Sequence, residues 1–225
     1  MVFVVASEKK WHYPLFEKLR LQFPGFRWYL INTKESLTID YLNEIGPVKI
    51  FFPHWSYIIP VEVYMKYECI VFHMTDLPYG RGGSPLQNLI VRGHKKTKVS
   101  ALRVEDGIDT GPIYLKKDLN LDGSAQEIFL RCSDIIGEMI AEIITKDPKP
   151  EEQQGEVVLF KRRKPEQSSL EDVSDIDALY DYIRMLDAEG YPNAFFQTEN
   201  FRFEFYNASL TNDKTLTASV RILKK

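Results

Sequence analysis

Two histidines stand where apolar runs give out. Val48–Phe52 leads into Pro53-His54-Trp55-Ser56, and Glu68–His73 ends on His73 itself. Both runs read as strands, and in an open parallel sheet ligands gather at the carboxyl ends of strands. An imidazole there can accept a proton from an attacking group or donate to an oxyanion as charge develops. His73 opens into Met74-Thr75-Asp76-Leu77-Pro78-Tyr79-Gly80-Arg81-Gly82-Gly83-Ser84-Pro85, a loop whose glycines allow positive φ and close approach of a ligand to backbone. Pro85 fits the first turn of a helix capped by Ser84, a helix start able to orient an anionic or carbonyl group. Further on, Val104-Glu105-Asp106-Gly107-Ile108-Asp109-Thr110-Gly111-Pro112 reads as a turn between two strands, with acids around one glycine.

The elements that must position these groups follow from periodicity. Val2–Ala6 is a short apolar run suited to a buried parallel strand. Tyr13–Phe23 has helical spacing, Phe26–Ile31 reads as a second strand, and Asn32–Glu44 carries Thr33 or Ser36 as a cap. Pro60 opens a short helix over Val61–Lys66. Strands alternating with helices at this spacing indicate βαβ units and a mostly parallel sheet. Ser124–Lys146 is the plainest helix, with Ser124 and Glu127 in capping-box positions and an apolar stripe through Ile128, Cys132, Ile135, Ile136, Met139, Ile140 and Ile143. Asp147–Gly155, with two prolines among glutamates and glutamines, reads as a surface connection. Val157–Phe160 is a short strand and Asp175–Leu186 an amphipathic helix. Phe195–Thr198, Phe201–Tyr206 and Thr215–Ile222 alternate like antiparallel strands. The expected division is a catalytic segment, 1–150, and an extension, 151–225.

Across 225 residues the apolar share is 44% and the net charge −3, which argues against a nucleic-acid platform. The basic clusters Lys95–Lys98 and Lys161–Lys164 read as solvated faces. Cys69 and Cys132 read as buried free thiols. The N-terminus shows no charged leader, and no run approaches the length of a membrane span, so a cytoplasmic protein without membrane contact is expected. His12 and His94 receive no role, and no Cys/His spacing suits a metal.

The motifs together resemble the folate-dependent formyltransferases, which include the methionyl-tRNA, glycinamide-ribonucleotide and sugar-nucleotide enzymes. Their pattern is a strand ending in Asn-x-His, a Leu-Pro-x-x-Arg-Gly loop, and an Asp-x-Gly-x-Asp-Thr-Gly segment about thirty residues on. This chain has Val71-Phe72-His73, Leu77-Pro78-Tyr79-Gly80-Arg81-Gly82 and Glu105-Asp106-Gly107-Ile108-Asp109-Thr110-Gly111. Within the family it looks most like the short sugar-nucleotide N-formyltransferases of the pseudaminic acid pathway. Arg162-Arg163-Lys164-Pro165 and Glu189–Phe195 resemble their tails.

The resemblance implies a Rossmann-like α/β formyltransferase fold with a small C-terminal helix and β-strand extension. It implies formyl transfer from N10-formyltetrahydrofolate to the amine of a UDP-linked amino sugar; the charge and a short, acidic tail speak against a nucleic-acid partner, and the aromatic C-terminal strands offer a homodimer surface. His73 and Asp109 are then catalytic. Trp55, Leu77, Pro78, Glu105, Asp106, Gly107 and Ile108 line the folate site. Ser7, Lys9, Lys10, Tyr79 and Arg81 face the acceptor. One departure stands out: valine replaces the family's asparagine at position 71 and cannot donate a hydrogen bond. We take His54, at the neighbouring strand end, as the replacement donor. The rival readings are a methionyl-tRNA formyltransferase-like enzyme, an inactive ligand-binding relative, and a formyl-folate hydrolase.

Overall fold

A computed structural model describes all of residues 1–225. The chain divides into two compact units, one comprising Met1–Gly82, Thr97–Leu119 and Leu130–Leu159, the other Gly83–Lys96, Asn120–Phe129 and Phe160–Lys225.

The first unit is built on strands that are apolar at almost every position. β1 (Val2–Ala6) is buried along its whole length and lies between β2 (Arg27–Ile31) and β3 (Lys49–Pro53), parallel to both. A strand so placed faces protein on both sides, which is why it shows no alternation. β4 (Glu68–His73) runs parallel to β3, with Pro53 opposite Phe72, so the strand ends that carry His54 and His73 are neighbours. β6 (Lys96–Arg103) is antiparallel to β4, and β7 (Ile113–Asn120) completes the order β2-β1-β3-β4-β6-β7. The expected mostly parallel, Rossmann-like sheet is therefore present.

Side chains alternate across this sheet. One face gathers Val4, Ala6, Ile31, Leu42, Ile50, Phe52 and Cys69, with Val71 and Trp55 packed against them. The other holds Phe3, Phe51 and Phe72, with neighbouring rings 6.1 and 6.4 Å apart. α1 (Tyr13–Gln22) meets the long helix α5 (Ala125–Lys146) at Gly137, where an added Cβ would lie 3.7 Å from Leu15.

Several local expectations change. α2 (Ile39–Ile45) is capped by Thr38, whose hydroxyl accepts from the Tyr41 N–H, while Thr33 and Ser36 bond each other ahead of it. α3 covers Val61–Tyr64 after Pro60. Tyr79–Gly82, read as loop, is a short strand, β5, paired with β8 (Val158–Phe160). The Ser124–Glu127 capping box forms in both directions: Glu127 N–H donates to Ser124 Oγ, and Ser124 N–H donates to the Glu127 carboxylate.

In the second unit, α4 (Pro85–Val91) begins after Ser84, but Ser84 does not cap it. Its backbone is left-handed (φ 50°), not the extended conformation a capping serine needs, and its hydroxyl accepts from the Arg163 N–H instead. α6 (Ile176–Arg184) is capped by Asp175, which accepts from the Ala178 N–H. β9 (Ala194–Gln197), β10 (Phe201–Leu210) and β11 (Leu216–Lys224) form an antiparallel sheet in the order β11-β10-β9. No helix is long and apolar enough to cross a membrane. Cys69 and Cys132 are free and buried, and burial pushes both thiols up to about 12.

Candidate active site

His73 closes β4 with its ring almost wholly buried. Its Nε2 lies 2.8 Å from the Gly80 carbonyl and its Nδ1 lies 3.4 Å from Asp109 Oδ2. Both partners are acceptors. A neutral ring has one proton for the two of them, and the imidazolium serves both.

Each partner is held in turn. Gly80 has φ 80°, which aims its carbonyl back at the histidine, and the Thr75 hydroxyl reaches the same oxygen at 3.5 Å. Ser100 on β6 donates to the Thr75 carbonyl and accepts from the Leu77 N–H, so the loop after His73 is tied to the sheet. Asp109 sits in the turn between β6 and β7 with a left-handed backbone, φ 53°. Its Oδ2 also accepts from the Gly82 N–H at 2.9 Å. The turn is tight: Gly107 has φ 97°, the Thr110 hydroxyl donates to the Asp106 carbonyl, and a Cβ on Gly111 would stand 1.9 Å from the Arg103 carbonyl oxygen.

His54, half-buried and left-handed at φ 51°, turns off the end of β3. Its ring lies 5.6 Å from Trp11 and 6.3 Å from His12. His12, given no role from sequence, is buried, and its Nδ1 meets the Ser133 hydroxyl at 2.9 Å, while its Nε2 has no partner. Desolvation lowers both imidazoles to about 3; the Lys9 ammonium adds to both shifts, and the His12 ring adds to that of His54. The position of Ser133, 121 residues away in sequence, is what the sequence reading lacked.

The other singled-out residues take varied places. Trp55 packs edge-on against Phe52 and Tyr57, with its indole nitrogen buried and unbonded. Leu77 and Pro78 are buried, and Tyr79 is half-buried. Glu105 pairs with Arg103, while Ile108 is 60% exposed. With Arg103, Val104, Glu105 and Asp106, α3 residues Val61, Tyr64 and Met65 line a cavity of about 530 Å³. Beyond the carboxyl end of β1, Ser7 is buried and accepts from the Lys9 N–H, the Lys9 ammonium lies over Trp11, and Lys10 begins a 3-10 turn. Arg81 directs its Nε and Nη2 at one oxygen of Gln153. Gln153, within the presumed surface connection, escaped notice altogether.

Comparison with known proteins settles the family. Residues 4–131, more than half of the chain, match the model described as formyl transferase. The chain belongs to that family. Residues 165–223 match a second model, the C-terminal domain of methionyl-tRNA formyltransferase. Across its whole length the chain is similar to a solved methionyl-tRNA formyltransferase from Clostridium thermocellum, with 49% identity, full coverage of both chains and a TM-score of 0.97. Methionyl-tRNA formyltransferase from Rickettsia typhi is 34% identical over 111 residues, 48% of this chain and 37% of that protein. The matched stretch thus spans little over a third of that curated relative. HypX from Aquifex aeolicus, solved with tetrahydrofolic acid, shares the fold at 17% identity, covering 92% of this chain and 37% of that one, with a TM-score of 0.75.

Two expectations fall. The UDP-linked amino sugar of the pseudaminic acid pathway, and the exclusion of a nucleic-acid partner, are overturned by the full-length likeness to a methionyl-tRNA enzyme and by the match over 165–223. The exclusion rested on a net charge, which averages over the surface and does not register where cations cluster.

The buried histidine pair has a consequence for stability. Unfolded, His12 binds a proton near pH 6.5, and folded it does so only near 3. The unfolded chain therefore holds more protons between those values, and stability is lost as pH falls from about 6.5 towards 3. His12 contributes a slope of up to about 1.4 kcal/mol per pH unit in that window. Urea unfolding from pH 7 to 4 should show this fall, and His12→Gln should flatten it by close to one proton. An unchanged slope in the variant would contradict the assignment.

Proposed function

We propose that this chain moves a formyl group from N10-formyltetrahydrofolate to the amino group of methionyl-tRNA. The observation that carries this reading is the likeness to the Clostridium thermocellum enzyme over the full chain at 49% identity. The proposal keeps 1–150 as catalytic segment and 151–225 as extension.

The bound folate supplies the formyl carbon and a nitrogen leaving group. The cavity beside Val104 suits a flat heterocycle, with apolar walls at Val61, Tyr64 and Met65 and carboxylates at Glu105 and Asp106 able to accept from ring N–H groups. In the proposal Trp55, Leu77, Pro78, Gly107 and Ile108 complete this side, and the unbonded Trp55 indole N–H is a donor awaiting an acceptor. Attack by the amine places negative charge on the formyl oxygen and releases a proton. His73 exchanges the Gly80 carbonyl for the reacting group, and Asp109 steadies the ring through Nδ1 as the proton passes from the attacking nitrogen to the departing one. Ser7, Lys9, Lys10, Tyr79 and Arg81 stay assigned to the acceptor side.

Val71 leaves one oxyanion donor to be found. Its side chain packs into the apolar cluster on the sheet face it shares with His73. His54 takes the donor role in this proposal: lowered to about 3, it is a neutral ring with one N–H across the working range. Exposed Lys161, Arg162 and Lys164 offer the cations that a phosphate backbone requires.

Three measurements test this reading. Incubation with N10-formyltetrahydrofolate and methionyl-tRNA should yield N-formylmethionyl-tRNA with one tetrahydrofolate released per formyl transferred. Folate release without formylated tRNA, or no release, overturns it. His54→Ala should lower kcat by about 10²–10³, the usual loss for one oxyanion donor; near-normal turnover removes His54 from the mechanism. Replacing Lys161, Arg162 and Lys164 together by alanine should raise KM for the tRNA and reduce its salt dependence by roughly one to three counterions, with kcat unchanged. An unaltered salt slope excludes this cluster.

A further inference from the structure

We infer that Gln153 is the positioning residue of the site, holding Asp109 in register with His73; this rests on the roles proposed above for that pair. Gln153 uses every valence of its side-chain amide. The NH2 donates one hydrogen to the Asp109 carbonyl and the other to the Gly111 carbonyl, both at 2.8 Å. The oxygen accepts from Arg81 Nε at 3.1 Å and Nη2 at 2.8 Å. The reverse orientation would set oxygen against two carbonyls and NH2 against a guanidinium, so the donor and acceptor pattern admits one arrangement.

The contacts meet at the point of greatest conformational demand. A residue other than glycine at φ 53° is held there by its surroundings, and the Asp109 carbonyl is fixed by the amide while its carboxylate is fixed by the Gly82 N–H. Gly111 can carry no side chain where it passes the Arg103 carbonyl, which brings the two captured carbonyls within reach of one NH2. Arg81 belongs to β5, between the Gly80 carbonyl that meets His73 Nε2 and the Gly82 N–H that meets Asp109. One amide thus ties together the strand and the turn that grip the two nitrogens of the same ring.

Delivery of Gln153 is equally specific. Glu151 and Ile113 exchange both backbone hydrogen bonds, at 2.7 and 2.9 Å, which anchors the chain leaving α5 against the first residue of β7. Two residues later the side chain arrives at the turn that ends on Pro112.

Substitutions separate this role from general packing. Glutamate would keep the acceptor for Arg81 and lose both donations, so Gln153→Glu distinguishes holding Arg81 from holding Asp109. We expect Gln153→Ala and Gln153→Glu each to lower kcat roughly 10- to 100-fold, the order of loss for a catalytic group displaced by about 1 Å. KM for each substrate should stay within about threefold in Gln153→Glu, which still holds Arg81. In the substrate-free protein, the imidazole ¹⁵N signals of His73 should shift in both variants, while those of His12 and His54 stay in place. Normal kcat with Gln153→Glu, or unmoved His73 signals in both variants, would overturn the inference. The nitrogen signals need no substrate, so a chain that fails to formylate methionyl-tRNA sinks the proposed function and leaves this test intact.

Discussion

The site depends on one imidazole that has an acceptor at each end. Gly80 supplies a carbonyl to Nε2 and Asp109 a carboxylate to Nδ1. Gly80 lies in the short strand β5 and Asp109 in the turn between β6 and β7. Each needs a positive φ, each lies in a segment that returns to the sheet, and each is held by contacts from elsewhere in the same unit. The buried sheet serves mainly as the fixed reference: β4 presents His73, β6 pins the loop through Ser100, and the β6–β7 turn offers Asp109.

This division explains what the sequence made legible. β1, β3 and β4 are short apolar runs because both faces are covered, and α5 shows its stripe and its capping box over five turns. Such signals are local and repeated. The Ser84 cap failed because the sign of φ at one residue is decided by contacts to Arg163, 79 positions away. β5 was missed because Tyr79-Gly80-Arg81-Gly82 has the composition of a loop, and only pairing with β8 makes it a strand. Gln153 was hidden for the same reason: its partners lie 42, 44 and 72 residues back, and its type is common among the polar residues around it.

The acceptor was misread for a different reason. In the proposed function the histidine, the Leu-Pro-x-x-Arg-Gly loop and the Asp-Thr-Gly turn handle the formyl group, whatever amine receives it. They fix the reaction class and say little of the acceptor. The finding that bears on the acceptor is the match of residues 165–223 to a methionyl-tRNA formyltransferase C-terminal domain. Residues 165–223 hold eleven acids and four bases, so their composition spoke against a polyanion, and the exposed cations at Lys161, Arg162 and Lys164 just ahead of them are lost in the sum.

Val71 then bears on how the site is balanced. An asparagine in that position would be a neutral donor on the sheet face of His73, and neutrality matters, because a second cation beside the ring would repel the ammonium that must approach. A replacement donor has to satisfy the same condition. His54 does so through its surroundings: burial, the His12 ring and Lys9 all disfavour its charged form, and they hold it at about 3. Its register position beside His73, one residue beyond the Pro53–Phe72 pair, is the position a neighbouring strand end can offer. The pairing with His12, which looks like a purely structural expense of burying two imidazoles together, is then also the means of keeping His54 uncharged. His12, without a role in the sequence reading, and Lys9, assigned there to the acceptor, are on this account part of the proposed donor's electrostatics.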